Sequence, residues 1–259
     1  MTDIQQLRQK LVDICKQFVL ASDINVVIRE AYIPYIPENW NGYLVLAEAQ
    51  NMSEGQYSGA SEDEIVGRLY PKGDNTKEYA NDGTFPELDI KPWEDGSIPL
   101  ALMAALDLNP FETAVCNGCL WSARENDRNI NPIDRMKEES TRLWKEMLPL
   151  LEGRLKKVIC CGSVAQSIIS KEVLSLANKD ENDKISLRLP SPNAMSRVSG
   201  MFTEADLFKR YPEVKKAFNA LKLGESNVPK IKNYRQNKIF YACHAVSVCG
   251  KLAEGFKQG

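Results

Sequence analysis

Residues 44–57 read L-V-L-A-E-A-Q-N-M-S-E-G-Q-Y, and this stretch decides how the rest of the chain is interpreted. Leu44, Val45 and Leu46 form a short apolar run that is typical of a buried strand. Small and polar residues follow at positions 47–51. Ligands of open parallel sheets bind beyond the carboxyl ends of the strands. The carboxylate, two amides and aromatic ring of this stretch therefore predict a functional site there.

Composition excludes several classes of protein. Of the 259 residues, 43% are hydrophobic and 26% are charged, which is ordinary for a globular domain. No apolar run is long enough to cross a bilayer, and the N-terminus lacks the basic-then-apolar order of a secretory signal. We therefore expect a cytoplasmic protein that does not associate with membranes. The seven cysteines are odd in number and lie mostly in apolar surroundings, which favours reduced, buried thiols.

Charge is distributed unevenly along the chain. The net charge is only -2, but carboxylates dominate residues 38–95. Between residues 209 and 238 basic side chains greatly outnumber Glu213 and Glu225. A basic segment of this kind can face nucleic-acid phosphates. The alternative is a solvated helical face, and the sequence leaves both open.

Helix and strand patterns alternate along the chain. Apolar residues recur at helical spacing over residues 3–20. Pro132 favours a helix start and Ser163 a helix N-cap, and Thr203 opens a further helix. The predicted helices include 3–20, 132–151 and 164–177, and the predicted strands are 43–47, 113–117, 157–161 and 185–189. This order predicts one α/β domain over residues 1–259, with a mainly parallel sheet of four strands and a basic C-terminal extension from about residue 206.

Six short segments also carry family-like motifs in a consistent order. Residues 47–54, A-E-A-Q-N-M-S-E, are similar to a G-E-A-P-G-x-x-E motif, and residues 57–59, Y-S-G, to F-V-G. Asn117 ends a strand, and residues 124–132 form an arginine- and asparagine-containing loop. Residues 157–165 are similar to P-K-v-I-v-x-L-G-x-x-A, and residues 189–193, L-P-S-P-N, to H-P-S-P. Together, residues 43–205 resemble the uracil-DNA glycosylase superfamily, and most closely its iron–sulfur-containing branch.

The resemblance implies a three-layer α/β/α sandwich that recognises, and excises, uracil or another damaged base flipped out of single- or double-stranded DNA. Tyr57 would stack on the base and Asn117 would read its edge, while Glu48 would act on the sugar or on a water. The full set of predicted site residues is Glu48, Gln50 and Asn51 for catalysis, Ala49, Tyr57 and Asn117 for the base, and Gly162, Ser163, Ser191, Pro192, Asn193 and Arg197 for DNA.

Each of these residues also has an ordinary structural interpretation. Tyr57 can pack on a loop, and an Asn at a strand end such as Asn117 often caps a turn. Glu48 can be a helix N-terminal or surface carboxylate. These alternatives stay open at the level of sequence.

Three positions depart from the motifs. The first Gly and the Pro of G-E-A-P are Ala47 and Gln50, and the His of H-P-S-P is Leu189. Leu189 can neither donate a hydrogen bond nor carry charge to a departing base. The alternative function is therefore a non-catalytic member that binds nucleic acid, a nucleotide-like ligand or a protein partner. The single histidine, His244, lies in an apolar stretch that is typical of a structural residue.

The cysteine spacing does not predict a metal centre. Cys116 and Cys119 have metal-ligand spacing, but no second pair follows at a zinc-ribbon distance. Of the N-terminal cysteines that hold the cluster in the related branch, only Cys15 is present. We therefore expect no metal and no cofactor. Separately, we expect the chain to be a monomer.

Overall fold

The computed structural model describes residues 3–18, 20, 31, 33, 34, 36–49, 106, 108, 112–121, 124, 125, 128, 129, 133–187, 205, 208, 209, 212 and 215. Contacts within the chain group it into two compact units. The first comprises Met1–Asn81 and Phe111–Ser186, and the second Asp82–Pro110 and Leu187–Gly259. In the second unit, residues 205, 208, 209, 212 and 215 are helical, as expected for a helix opened by Thr203. The assignment of residues 1–259 to a single domain stays a prediction.

The first unit is built on a four-stranded, mainly parallel sheet, which confirms the predicted α/β fold. Its strands are β1 (Tyr43–Ala47), β2 (Ala114–Asn117), β5 (Lys157–Cys161) and β6 (Lys184–Leu187), in the spatial order β2-β1-β5-β6. Strand β1 pairs in parallel with both β2 and β5. The carboxyl ends of these three strands therefore meet at one edge of the sheet.

Helices α1 (Asp3–Gln17) and α2 (Asp134–Met147) cover one face of this sheet. Helix α1 buries four residues at helical spacing, Ile4, Leu7, Leu11 and Cys15. Their neighbours in the core are the alternate strand residues Leu44, Leu46, Cys116, Val158 and Cys160. The strand residues between them, Val45, Val115, Ile159 and Cys161, are also buried. Side chains on both faces of the sheet are thus removed from solvent, as expected for a parallel sheet.

Several predicted boundaries require correction. The predicted helix 164–177 is two helices, α3 (Ser163–Ile168) and α4 (Lys171–Ser175), because Ser170 accepts a hydrogen bond from Val173 N and starts a new helix. The N-cap of α3 is Gly162, so the prediction that Ser163 is the N-cap was wrong. Helix α1 ends at Gln17, before the predicted residue 20.

The region after β2, which the sequence predicts to be a loop, contains a small antiparallel element. Strands β3 (Arg124–Glu125) and β4 (Arg128–Asn129) form an antiparallel ribbon in which Arg124 pairs with Asn129. Helix α2 then begins at Asp134 and continues as a 3-10 helix, Leu148–Leu151. Among the residues described, no helix is both long and apolar enough to span a membrane.

Candidate functional site at the carboxyl ends of three strands

The backbone fixes Glu48 and Asn117 against each other at the sheet edge. Ala47 and Asn117 are paired residues of β1 and β2. The parallel ladder continues beyond the strands, because Gly118 N donates to Ala47 O at 2.7 Å and Cys119 N donates to Glu48 O at 2.9 Å. Glu48 and Asn117 therefore lie beside each other at the ends of neighbouring strands, with their backbones held by hydrogen bonds.

Helix α2 holds the turn after β2, which we call the β2 turn (residues 118–121). Trp144 Nε1 donates to Gly118 O at 2.9 Å, and Leu120 N donates to Ser140 Oγ at 2.9 Å. Trp144 and Ser140 are fully buried. Hydrogen bonds inside the core are costly to break because water cannot replace the lost partner. The β2 turn is consequently a rigid support for the residue that precedes it, Asn117.

Asn117 itself is a buried polar residue, 6% exposed, at the last position of β2. Its carboxamide has two donor hydrogens and an acceptor oxygen. This combination can match the edge of a pyrimidine, which also presents both donors and acceptors. The location at a strand end with a rigid following turn is suitable for a residue that reads a ligand.

Glu48 follows β1 and turns its carboxylate toward the start of α3. Glu48 Oε1 accepts from Ser163 Oγ at 3.4 Å and from Val164 N at 3.3 Å. Both distances are at the long end for hydrogen bonds. Glu48 is half-buried and Ser163 is exposed. The carboxylate is thus oriented by α3 but remains accessible to solvent.

Two glycines allow these segments to approach one another. Gly162 has φ of +91°, and a side chain there would collide with the Glu48 carboxyl group. A Cβ at Gly118 would lie 2.6 Å from Ala165 Cα, so the β2 turn packs directly on the α3 backbone. Both positions need glycine, one for its backbone conformation and the other for its lack of a side chain.

Cys116 and Cys119, which flank Asn117 in the sequence, are protonated structural residues. Burial raises the pKa of the Cys119 thiol, and burial, together with Cys15, raises the pKa of the Cys116 thiol. A buried thiol of raised pKa is a poor nucleophile and a poor metal ligand. Within the described part of the chain, no group of three His, Cys, Asp or Glu side chains could hold a metal ion.

The structure brings together five of the predicted site residues, Glu48, Ala49, Asn117, Gly162 and Ser163, at the ends of β1, β2 and β5. Seven others, Gln50, Asn51, Tyr57, Ser191, Pro192, Asn193 and Arg197, lie outside the described residues, as does Leu189. Their roles stay predictions.

Three supporting residues were missed by sequence reasoning, Gly118, Ser140 and Trp144. Ser140 occupies a core-facing position of an otherwise apolar helix stripe. A polar residue at such a position needs a hydrogen-bond partner, so its presence was a signal for a buried polar contact. The identity of that partner depended on the tertiary fold.

Comparison of the chain with models of known families, with curated proteins and with solved structures finds no match.

Proposed function

We propose that the chain is a DNA glycosylase-like protein of the uracil-DNA glycosylase type, with a three-layer α/β/α sandwich as its fold. The burial of side chains on both faces of the central sheet supports a layer of structure on each side. Its proposed activity is the recognition and excision of uracil or another damaged base that has been flipped out of DNA.

The observation that carries this proposal is the meeting of three strand ends. Asn117 ends β2, Glu48 follows β1, and Ser163 follows β5. An amide that reads a base, a carboxylate, and a hydroxyl with nearby backbone N–H groups are therefore grouped at the edge where α/β sheets bind ligands. Glu48 matches the carboxylate of the first motif, and Asn117 matches the base-reading Asn of the family that the sequence resembles.

The proposed reaction uses these groups in distinct roles. The bond between sugar C1′ and the base nitrogen breaks, and the electron pair leaves with the base. A water oxygen bonds to C1′ and loses a proton to solvent or to a carboxylate. Glu48 would stabilise the positive charge on the sugar and orient that water, because a carboxylate near developing positive charge lowers the barrier. Asn117 would hold the base edge, and Tyr57 would stack on the ring.

A lesion-panel assay tests this proposal. Single- and double-stranded oligonucleotides, each with one uracil, hypoxanthine or xanthine, are incubated with the protein, and abasic sites are revealed by alkaline cleavage. The proposal predicts product from at least one lesion and none from undamaged DNA. If none of the lesions gives an abasic product, the catalytic form of the proposal is excluded.

A second candidate function is recognition without cleavage. The Glu48 carboxylate already accepts two hydrogen bonds from the start of α3, which favours a positioning role for it. Leu189 also replaces the motif histidine that would stabilise the leaving base. Under this alternative the protein binds lesion-containing DNA and forms no abasic product.

The proposed partner is DNA, and the basic C-terminal segment would contact phosphates. Lys209 and Lys215 in this segment are exposed. Binding that neutralises phosphates releases counterions and weakens steeply with salt. A titration of binding against salt should therefore give a steep negative slope, whereas a protein that does not contact DNA phosphates would give a flat one.

A further inference from the structure

The register of the sheet places a third side chain level with Ala47 and Asn117. Leu46 pairs with Cys160, so the next residue of β5, Cys161, is level with Ala47. Side chains alternate along a strand, so Cys161 lies on the opposite face from Cys160 and on the same face as Asn117. We call Asn117, Ala47 and Cys161 the rim row.

The middle of the rim row is accessible although both ends are buried. Asn117 and Cys161 are 6% and 1% exposed, whereas Ala47 between them is partly exposed. The backbones of β2 and β5 are two strand spacings apart, roughly 9.5 Å. The Ala47 methyl group is shorter than the side chains of Asn117 and Cys161 on either side of it, so the rim row is lowest at Ala47, and we call this low point the depression.

We propose that Ala47 is the floor of the base pocket and that the Cys161 thiol is the wall opposite Asn117. This inference rests on the proposed function, because it assumes that the Asn117 carboxamide reads a base. A ring whose edge meets Asn117 stands over Ala47, and its far side then reaches the sulfur of Cys161. Sulfur packs favourably against the edge of an aromatic ring.

The experiment isolates binding of the base from binding of the DNA backbone. One oligonucleotide carries a single 2′-fluoro-deoxyuridine, which resists cleavage, and a matched one carries an abasic analogue at the same position. The uracil preference is the Kd for the abasic oligonucleotide divided by the Kd for the uracil oligonucleotide. Contacts to phosphates cancel in this ratio.

Ala47→Val fills the depression with a residue that strands favour, so the sheet should tolerate it. Its uracil preference should fall about tenfold or more, since added methyl groups displace the ring. Cys161→Ala should lower the preference about threefold by removing the sulfur contact. Cys160→Ala is the matched control, because it makes the same change on the opposite face and should leave the preference intact. Melting temperatures establish that each variant is folded.

A lowered preference in Ala47→Val and Cys161→Ala, together with the wild-type value in Cys160→Ala, supports the inference. If Ala47→Val does not fold, Cys161→Ala against Cys160→Ala decides the question. A wild-type protein with a clear preference that both rim-row variants retain would overturn the inference and leave the proposed function standing. A wild-type protein with no preference and no abasic product would instead refute the proposed function, and the inference with it.

Discussion

The turns that follow β2 and β5 both contribute to the candidate site, but they are held in different ways. The β2 turn is fixed by two hydrogen bonds at 2.9 Å, one accepted by the buried Ser140 and one donated by the buried Trp144. The start of α3 meets the half-buried Glu48 through contacts at 3.3 and 3.4 Å. The hydrogen bonds of the first arrangement are short and excluded from water, whereas those of the second are longer and partly exposed to solvent. A group that reads a ligand benefits from the first setting, and a group that must act on water benefits from the second.

The largest expected change in stability comes from the place where the two turns touch. Gly118→Ala would put a Cβ 2.6 Å from the backbone of Ala165, and a backbone atom cannot move aside easily. We expect a loss of about 3 kcal/mol in the free energy of unfolding. Chemical denaturation measures it. Gly153→Ala is the control, because nothing lies within 4 Å of its added Cβ. Equal effects at the two glycines would contradict the close packing of the β2 turn on α3.

Trp144→Phe removes the hydrogen bond to Gly118 O and keeps an aromatic ring in the core. The buried carbonyl then has one partner fewer, and we expect a loss of about 2 kcal/mol. The half-buried Trp40 donates to Tyr43 O at 2.8 Å and provides the comparison. Trp40→Phe should cost less, since water can reach its site. A smaller cost at Trp144 than at Trp40 would show that the β2 turn is not held by buried hydrogen bonds.

The buried thiols predict a loss of stability in alkali. Burial raises the pKa of Cys160 from 9.0 to about 12, and that of Cys15 to a similar value. The folded state thus holds these protons more tightly than the unfolded state. The stability that these protonated thiols give the folded state is fully present below their unfolded-state pKa. It is lost as the pH rises from 9.0 toward about 12. Each thiol should lower the free energy of unfolding by about 1.4 kcal/mol per pH unit in this range.

Unfolding of the wild type and of Cys160→Ala at several alkaline pH values measures this slope. The variant lacks one of the protons, so its stability should fall less steeply with pH. Parallel slopes for the two proteins would mean that Cys160 is ionised equally easily in the folded and unfolded states.

Glu48→Gln should have the smallest effect on stability. The amide oxygen still accepts hydrogen bonds from Ser163 and Val164, and the contacts are long and partly solvated, so we expect a change of about 0.5 kcal/mol. Abasic-site formation should nevertheless fall about 100-fold or more, because the charge near the sugar is lost. A variant that cleaves as fast as the wild type would limit Glu48 to positioning the α3 start.

The sequence predicted the central strands well and the connections less well. Strands β1 and β5 have the predicted bounds, since each is a short apolar run ended by a change to polar or small residues. The break between α3 and α4 was missed because apolar residues continue through it at helical spacing. Strands β3 and β4 have two residues each, too few for any periodic signal.

For the site, likewise, the sequence predicts where the candidate residues lie but not which distant residues support them. The placement of Glu48 and Asn117 at strand ends follows from local patterns. The support of Asn117 does not, because Ser140 and Trp144 are 20 and 26 residues from the backbone groups that they bind. Contacts of that separation are specified by the packing of α2 on the sheet, which no local pattern encodes.

The most direct test of the base-binding site compares two buried polar residues near opposite ends of β2. Asn117→Ala changes the last residue of the strand. Thr113→Val changes the residue just before the strand begins. The Thr113 hydroxyl accepts a hydrogen bond from Asn41 Nδ2 at 2.9 Å. We predict that Asn117→Ala lowers the uracil preference about 100-fold while destabilising the protein no more than Thr113→Val, which keeps the preference. Equal preferences in the two variants would contradict the assignment of Asn117 as the residue that reads the base.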